Sequence, residues 1–156
     1  MLEKILAGLR ARPQPAPASP PFDVDRVRVA VLALLLEVSQ VDRELSEDER
    51  ATVLRLARER FGLDAGAVGP LVELADTLLA ASLDDWIFTR TVRDAFDAGE
   101  RLEVVRMLWQ VAFADGRLRP FEQALVERIG ARLGLAPEAV AQAREQAGAA
   151  GAAGPR

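Results

Sequence analysis

Val29-Ala30-Val31-Leu32-Ala33-Leu34-Leu35-Leu36-Glu37-Val38-Ser39-Gln40-Val41 runs straight into Asp42-Arg43-Glu44-Leu45-Ser46-Glu47-Asp48-Glu49. The same pattern returns as an apolar stretch over residues 102–114, followed by Asp115-Gly116-Arg117-Leu118-Arg119-Pro120-Phe121-Glu122. At a constant offset of 73 positions (Asp42 to Asp115), Val31, Leu35, Val38, Asp42, Leu45, Glu49, Ala51, Val53 and Arg55 all meet identical residues. Composition alone does not produce that many matches, so the fold is expected to contain two copies of one helix pair joined by an acid-flanked turn. Each copy closes on a Gly-Leu step, Gly62-Leu63 and Gly134-Leu135, with the register slipped by one.

Working outward, the apolar residues of 24–40 surround the helix on every side, which is how a helix at a domain's centre reads. Residues 102–114 have the same character, with Trp109 and Phe113 adding bulk. Ser46-Glu47-Asp48-Glu49 fits a capping box and opens a helix to about residue 60, stopped by Gly62. Pro120 opens its counterpart, which ends near Gly134. Residues 68–81 predict a helix with Leu71, Leu74, Leu78 and Leu79 inside, Ser82-Leu83-Asp84-Asp85 a second capping box before a helix over 86–96, and 136–147 a last helix. Nothing alternates with a period of two, so no strand is expected. The predicted class is all-α: a compact bundle of about seven helices with an internal pseudo-two-fold repeat. Residues 23–147 form the domain, 1–22 a short helix and Pro-rich arm, and 148–156 a disordered Gly/Ala tail.

The bulk composition narrows the function. A chain of 156 residues is one domain's worth, burying roughly 70% of its unfolded surface. Its net charge of −4 argues against nucleic acid and against an anionic membrane as partners. Cysteine, histidine and tyrosine are absent. Thiolate chemistry, sulfur-ligated metals and imidazole catalysis are therefore excluded. Ser39, Ser46 and Ser82 have no imidazole to activate them, no Gly-rich phosphate loop precedes a helix, and a di-iron bundle lacks its histidines. An enzyme is not expected. The longest apolar run, residues 29–36, has eight residues, against the roughly 20 that a membrane span needs. The start carries charge in its first turns and lacks a signal peptide's apolar centre. The expected location is the cytoplasm.

Ala114-Asp115-Gly116, a hydrophobe two residues on, and Glu122 resemble the signature of the tellurite-resistance TerB family. The half-motif Asp42 to Glu49, the Phe61-Gly62-Leu63 ending and Phe88-Thr89-Arg90 are similar to its cytoplasmic branch, and the chain is also similar to the N-terminal domain of a membrane-anchored DnaJ-like protein. The resemblance spans residues 24–144. It implies a helical, pseudo-symmetric module of stress-response and tellurite-resistance systems that binds a divalent cation and has no enzymology to carry over. Arg43 and Val41 depart from the pattern where the second copy has Gly116 and Ala114.

Two readings of the turns stand side by side. Asp42, Glu44, Asp48 and Glu49 place four carboxylates in the first turn, and Asp115 with Glu122 place two in the second. Brought together they suit a hard cation, Ca²⁺ or Mg²⁺, although the spacing is not that of an EF-hand. In the alternative reading Glu49 and Glu122 cap backbone N–H groups at third helical positions, and Asp42 and Asp115 bond turn amides. An acidic face or the N-terminal arm would then recruit a protein partner. Trp109 reads as core, Trp86 as a half-exposed anchor, and Arg50, Arg55, Arg58 and Arg60 as a solvated face paired with Glu47 and Glu59. Leu2, Ile5, Leu6 and Leu9 fall on one face of a short helix. That face docks on the body in cis, docks on a second copy as a homodimer contact, or makes weak peripheral membrane contact. Behind it Pro13, Pro15, Pro17, Pro20 and Pro21 impose an extended arm.

Overall fold

A computed structural model describes residues 24–40, 47–114, 116 and 118–153, and among these there are seven helices and no strand. They are α1 (Val24–Gln40), α2 (Glu47–Phe61), α3 (Ala65–Ala81), α4 (Trp86–Ala95), α5 (Ala98–Ala112), α6 (Pro120–Arg132) and α7 (Pro137–Ala153). The helices α1, α2, α3 are followed by α5, α6, α7 at nearly the repeat's spacing, with α4 between the two sets. Contacts follow the same scheme. α1 packs on α2 and α3, α5 packs on α6 and α7, and α1 meets α5. α4 lies against α1 and α6.

The two apolar runs are the centre of the bundle. Leu32, Leu34, Leu35 and Val38 of α1, and Val105, Leu108, Trp109 and Val111 of α5, have no exposed surface. Fully burying a side chain of this size stabilises the fold by about 1.5–3 kcal/mol before entropy is subtracted. The Trp109 indole also donates Nε1–H to the Val140 carbonyl at 3.0 Å, tying α5 to α7. Gly130 lets α6 reach the same place, since a Cβ there would stand 2.6 Å from Val140 Cγ2.

Local boundaries depart from the expectations in four places. α5 begins at Ala98, ahead of its apolar run, because Asp97 accepts the Glu100 N–H at 2.8 Å and Glu100 accepts the Asp97 N–H at 3.0 Å, a reciprocal capping box. Ser82 does not open α4. It ends α3, donating its hydroxyl to the Leu78 carbonyl at 2.7 Å, while Asp84 accepts the Trp86 N–H at 2.9 Å. α3 turns Val68, Val72 and Ala75 inward, packs Leu71 and Leu79 against the core as expected, and leaves Leu74 and Leu78 exposed. Leu74 and Leu78 fall on the arc that faces away from α1. α7 continues to Ala153, beyond the residue at which the composition predicts fraying. Alanine is the best helix former, Ala147 is buried and Gly148 faces the Phe113 ring. The expected arm, residues 1–22, lies outside the described residues.

Candidate functional site

Pro120 as the first residue of α6 fixes Glu122 at the third position, and Glu47 as the first residue of α2 does the same for Glu49. Glu122 Oε1 accepts the Arg119 N–H at 3.2 Å, the capping contact expected of a third-position carboxylate. Yet both glutamates are fully buried, at 0% exposure. These two, 73 positions apart in sequence, face each other inside the protein.

Among the described residues Oε2 of Glu122 meets no hydrogen-bond donor, and its charged partner is Arg119 Nη1 at 3.9 Å. Its neighbour is the Glu49 carboxyl, so a hydrogen bond joins the pair only when one member holds a proton. Burial, the bond to Glu49 and the Glu49 charge push the Glu122 pKa up to about 7, against the pull of the Arg119 N–H and guanidinium. Near neutral pH Glu122 therefore exchanges its proton while buried beside the Glu49 carboxyl. Carboxylate oxygens are the ligands hard cations prefer, so this pair is the part of the described structure whose chemistry suits one.

The other acidic residues of the two turns are placed differently. Asp48 is exposed at the second position of α2. Asp42, Glu44 and Asp115 lie outside the described residues. Among the described residues no three or more His, Cys, Asp or Glu side chains gather as a metal cluster. Gly116 has φ +83°, in the left-handed region that glycine adopts without strain.

A second carboxyl cluster escaped the sequence reading. Glu37 of α1 and Asp85, the N-cap of α4, approach Arg128 of α6 at 3.5 and 3.4 Å, and Arg132 binds Asp84 at 2.7 Å and also Asp85. Burial, then the hydrogen bond and charge of Asp85, raise the Glu37 pKa to about 8, with Arg128 opposing. The hydrogen bond from Arg132 holds the exposed Asp84 below the usual carboxylate range. Three acids against two arginines at one junction make a clamp that fixes α4 to α1 and α6. No local pattern announces it, since its members are 43 to 91 positions apart across the arginines; the one hint is that Arg128 repeats Arg55.

Trp109 is core and Trp86 is about half exposed, its ring lying 5.0 Å from the Arg90 guanidinium carbon. Arg55 pairs with Glu59 at 3.4 Å on an exposed face. No described helix is long and apolar enough to cross a membrane.

The fold and the site define a small all-α domain whose two equivalent helix starts meet at a buried carboxyl pair. The chain belongs to the TerB family, whose model, described as tellurite resistance protein TerB, matches residues 28–145. At family level it is a tellurite-resistance-associated domain. No curated protein and no solved structure matches it.

Proposed function

We propose that this chain is a non-enzymatic TerB module of stress response that binds a divalent cation, Ca²⁺ or Mg²⁺, where its acidic turns converge. Glu49 and Glu122 form the inner pair, and Asp42, Glu44, Asp48 and Asp115 are the outer ligands or their water-mediated support. The observation that carries the reading is the buried Glu49–Glu122 pair: two carboxyls held side by side away from water repel each other, and a cation bound between them would lower that cost. The pseudo-two-fold relation of the halves explains why one carboxylate comes from each. Binding then stabilises the turns that join α1 to α2 and α5 to α6. The module acts by presenting that cation-set end to a partner.

The experiment is thermal unfolding with and without millimolar Ca²⁺ or Mg²⁺, for wild type and for a variant combining Asp42→Asn with Asp115→Asn. A cation at 100 times its Kd adds about 2.7 kcal/mol, a shift of several degrees for a domain of this size. A shift in wild type that shrinks in the variant supports the proposal. No shift, or equal shifts, overturns it.

A second reading, a metal-free adaptor, draws support from the exposed Leu83, Trp86 and Ile87 at the start of α4. On that reading a partner protein is lost on changing Leu83 and Trp86 to Asp and kept in the Asn variant. The acidic face and the N-terminal arm are the other surfaces it would use.

A further inference from the structure

α4 is the shortest of the described helices, with ten residues, and it rests on α1 and α6. Its two ends are held by different chemistry. At the far end Arg101 binds the carbonyls of Phe96 at 2.8 Å and Arg93 at 2.9 Å, contacts that pH leaves alone because a guanidinium keeps its charge. At the start, the N-cap residue Asp85 gives its side chain to no backbone N–H of the helix. Its carboxyl, with no exposed surface, turns instead to Arg128 at 3.4 Å and to Arg132, and bonds the Glu37 carboxyl of α1.

Two carboxyls bond each other only through a proton. Oε2 of Glu37 reaches Arg128 at 3.5 Å, whereas Oε1 is closed to water and meets no hydrogen-bond partner among the described residues. The charges that act on Glu37 all belong to this junction: Asp85 and Asp84 ahead of α4, and Arg128 from α6. With the proton on Glu37, these two aspartates face Arg128 and Arg132 and the junction is balanced. Without it, three carboxylates face the same two arginines, the acid–acid bond is gone, and the Glu37 and Asp85 charges repel each other away from water. Burial, then the bond and charge of Asp85, push the Glu37 pKa up to about 8, so the balanced form prevails at neutral pH.

We propose that the Glu37 proton is the latch of α4: its loss releases the start of the helix from α1 and α6 while Arg101 keeps the far end in place. Opening uncovers Phe88 and Thr89, buried in the latched state, beside Leu83, Trp86 and Ile87, which are exposed already. The size of this apolar surface is then set by pH.

Hydrogen exchange followed by amide NMR on the full chain tests this, with a chelator present and the intrinsic base catalysis of exchange divided out. The opened form holds the Glu37 proton less tightly than the latched one, so opening becomes easier as pH rises from the ordinary 4.5 towards about 8 and levels off above it. The Phe88 and Thr89 amides, which donate to the Asp85 carbonyl at 3.0 Å, are expected to show an opening constant that rises about tenfold per unit between pH 6 and 7.5. No comparable rise is expected at Phe96 or in α7. Glu37→Gln, whose amide offers Asp85 a permanent N–H donor, should abolish the rise, and Glu122→Gln should keep it. A flat wild-type profile, an equal rise in Glu37→Gln, or a rise of the same size in α7, which would mark loosening of the whole domain, overturns the proposal. Should the Gln variant not fold, the wild-type contrast between α4 and α7 decides alone.

Discussion

Changing Glu122 to Gln should flatten the pH dependence of stability. In the folded protein the Glu122 carboxyl titrates at about 7 instead of its ordinary 4.5. A raised pKa means that the folded state binds the proton more tightly than the unfolded chain does, so this contribution is complete at acid pH and is lost as pH rises through 7. A displacement of about 2.5 pK units at roughly 1.4 kcal/mol each is about 3 kcal/mol between pH 4.5 and 8.5, or roughly 10 °C in melting temperature. Gln keeps an oxygen for the Arg119 N–H and offers a permanent N–H donor to Glu49, mimicking the protonated pair at every pH. The assay is thermal unfolding by circular dichroism from pH 5 to 8.5 in the presence of a chelator. Wild type should lose stability as pH rises. Glu122→Gln should lose distinctly less, retaining the slope due to Glu37, whose pKa of about 8 acts in the same direction. Parallel curves for the two proteins, or a wild type that gains stability with pH, would refute the reasoning.

Gly130→Ala should destabilise by about 1–3 kcal/mol, because its methyl collides with Val140 in a packed interface; urea unfolding checks it, and a neutral result means that α7 shifts freely. Asp97→Ala removes the capping box of α5 and should cost about 1 kcal/mol, read by the same assay. Arg132→Ala strips the buried Asp85 of one of its two arginines. Since Arg132 itself is partly exposed, a loss of about 1–2 kcal/mol is expected, with faster hydrogen exchange in α4 and not in α7.

Much of the architecture was legible because it depends on apolar periodicity. The all-round hydrophobicity of residues 24–40 marks them as a central helix, and the repeat puts Leu35 and Leu108 at the centre. Boundaries failed where a polar device outranked the apolar pattern. Asp97 and Glu100 start α5 ahead of its hydrophobes, and Ser82 spends its hydroxyl on α3. The inner face of α3 was half legible: Leu71 and Leu79 pack against the core as expected, whereas Leu74 and Leu78 are exposed because Val68, Val72 and Ala75 take the innermost positions. For the site, the sequence placed Glu49 and Glu122 at the right helical position but as two independent caps. Their meeting is a tertiary fact, as is the Glu37–Asp85–Arg128 junction, and neither leaves a trace in local spacing.

The most direct measurement is anomalous diffraction from a crystal of the full chain soaked in Mn²⁺, a hard cation that carboxylates hold as they hold Mg²⁺. The account expects an anomalous peak bridging Glu49 and Glu122, abolished by Glu49→Gln combined with Glu122→Gln. A wild-type crystal with no peak between these two residues, or one whose only peaks lie on other surface carboxylates, would contradict it.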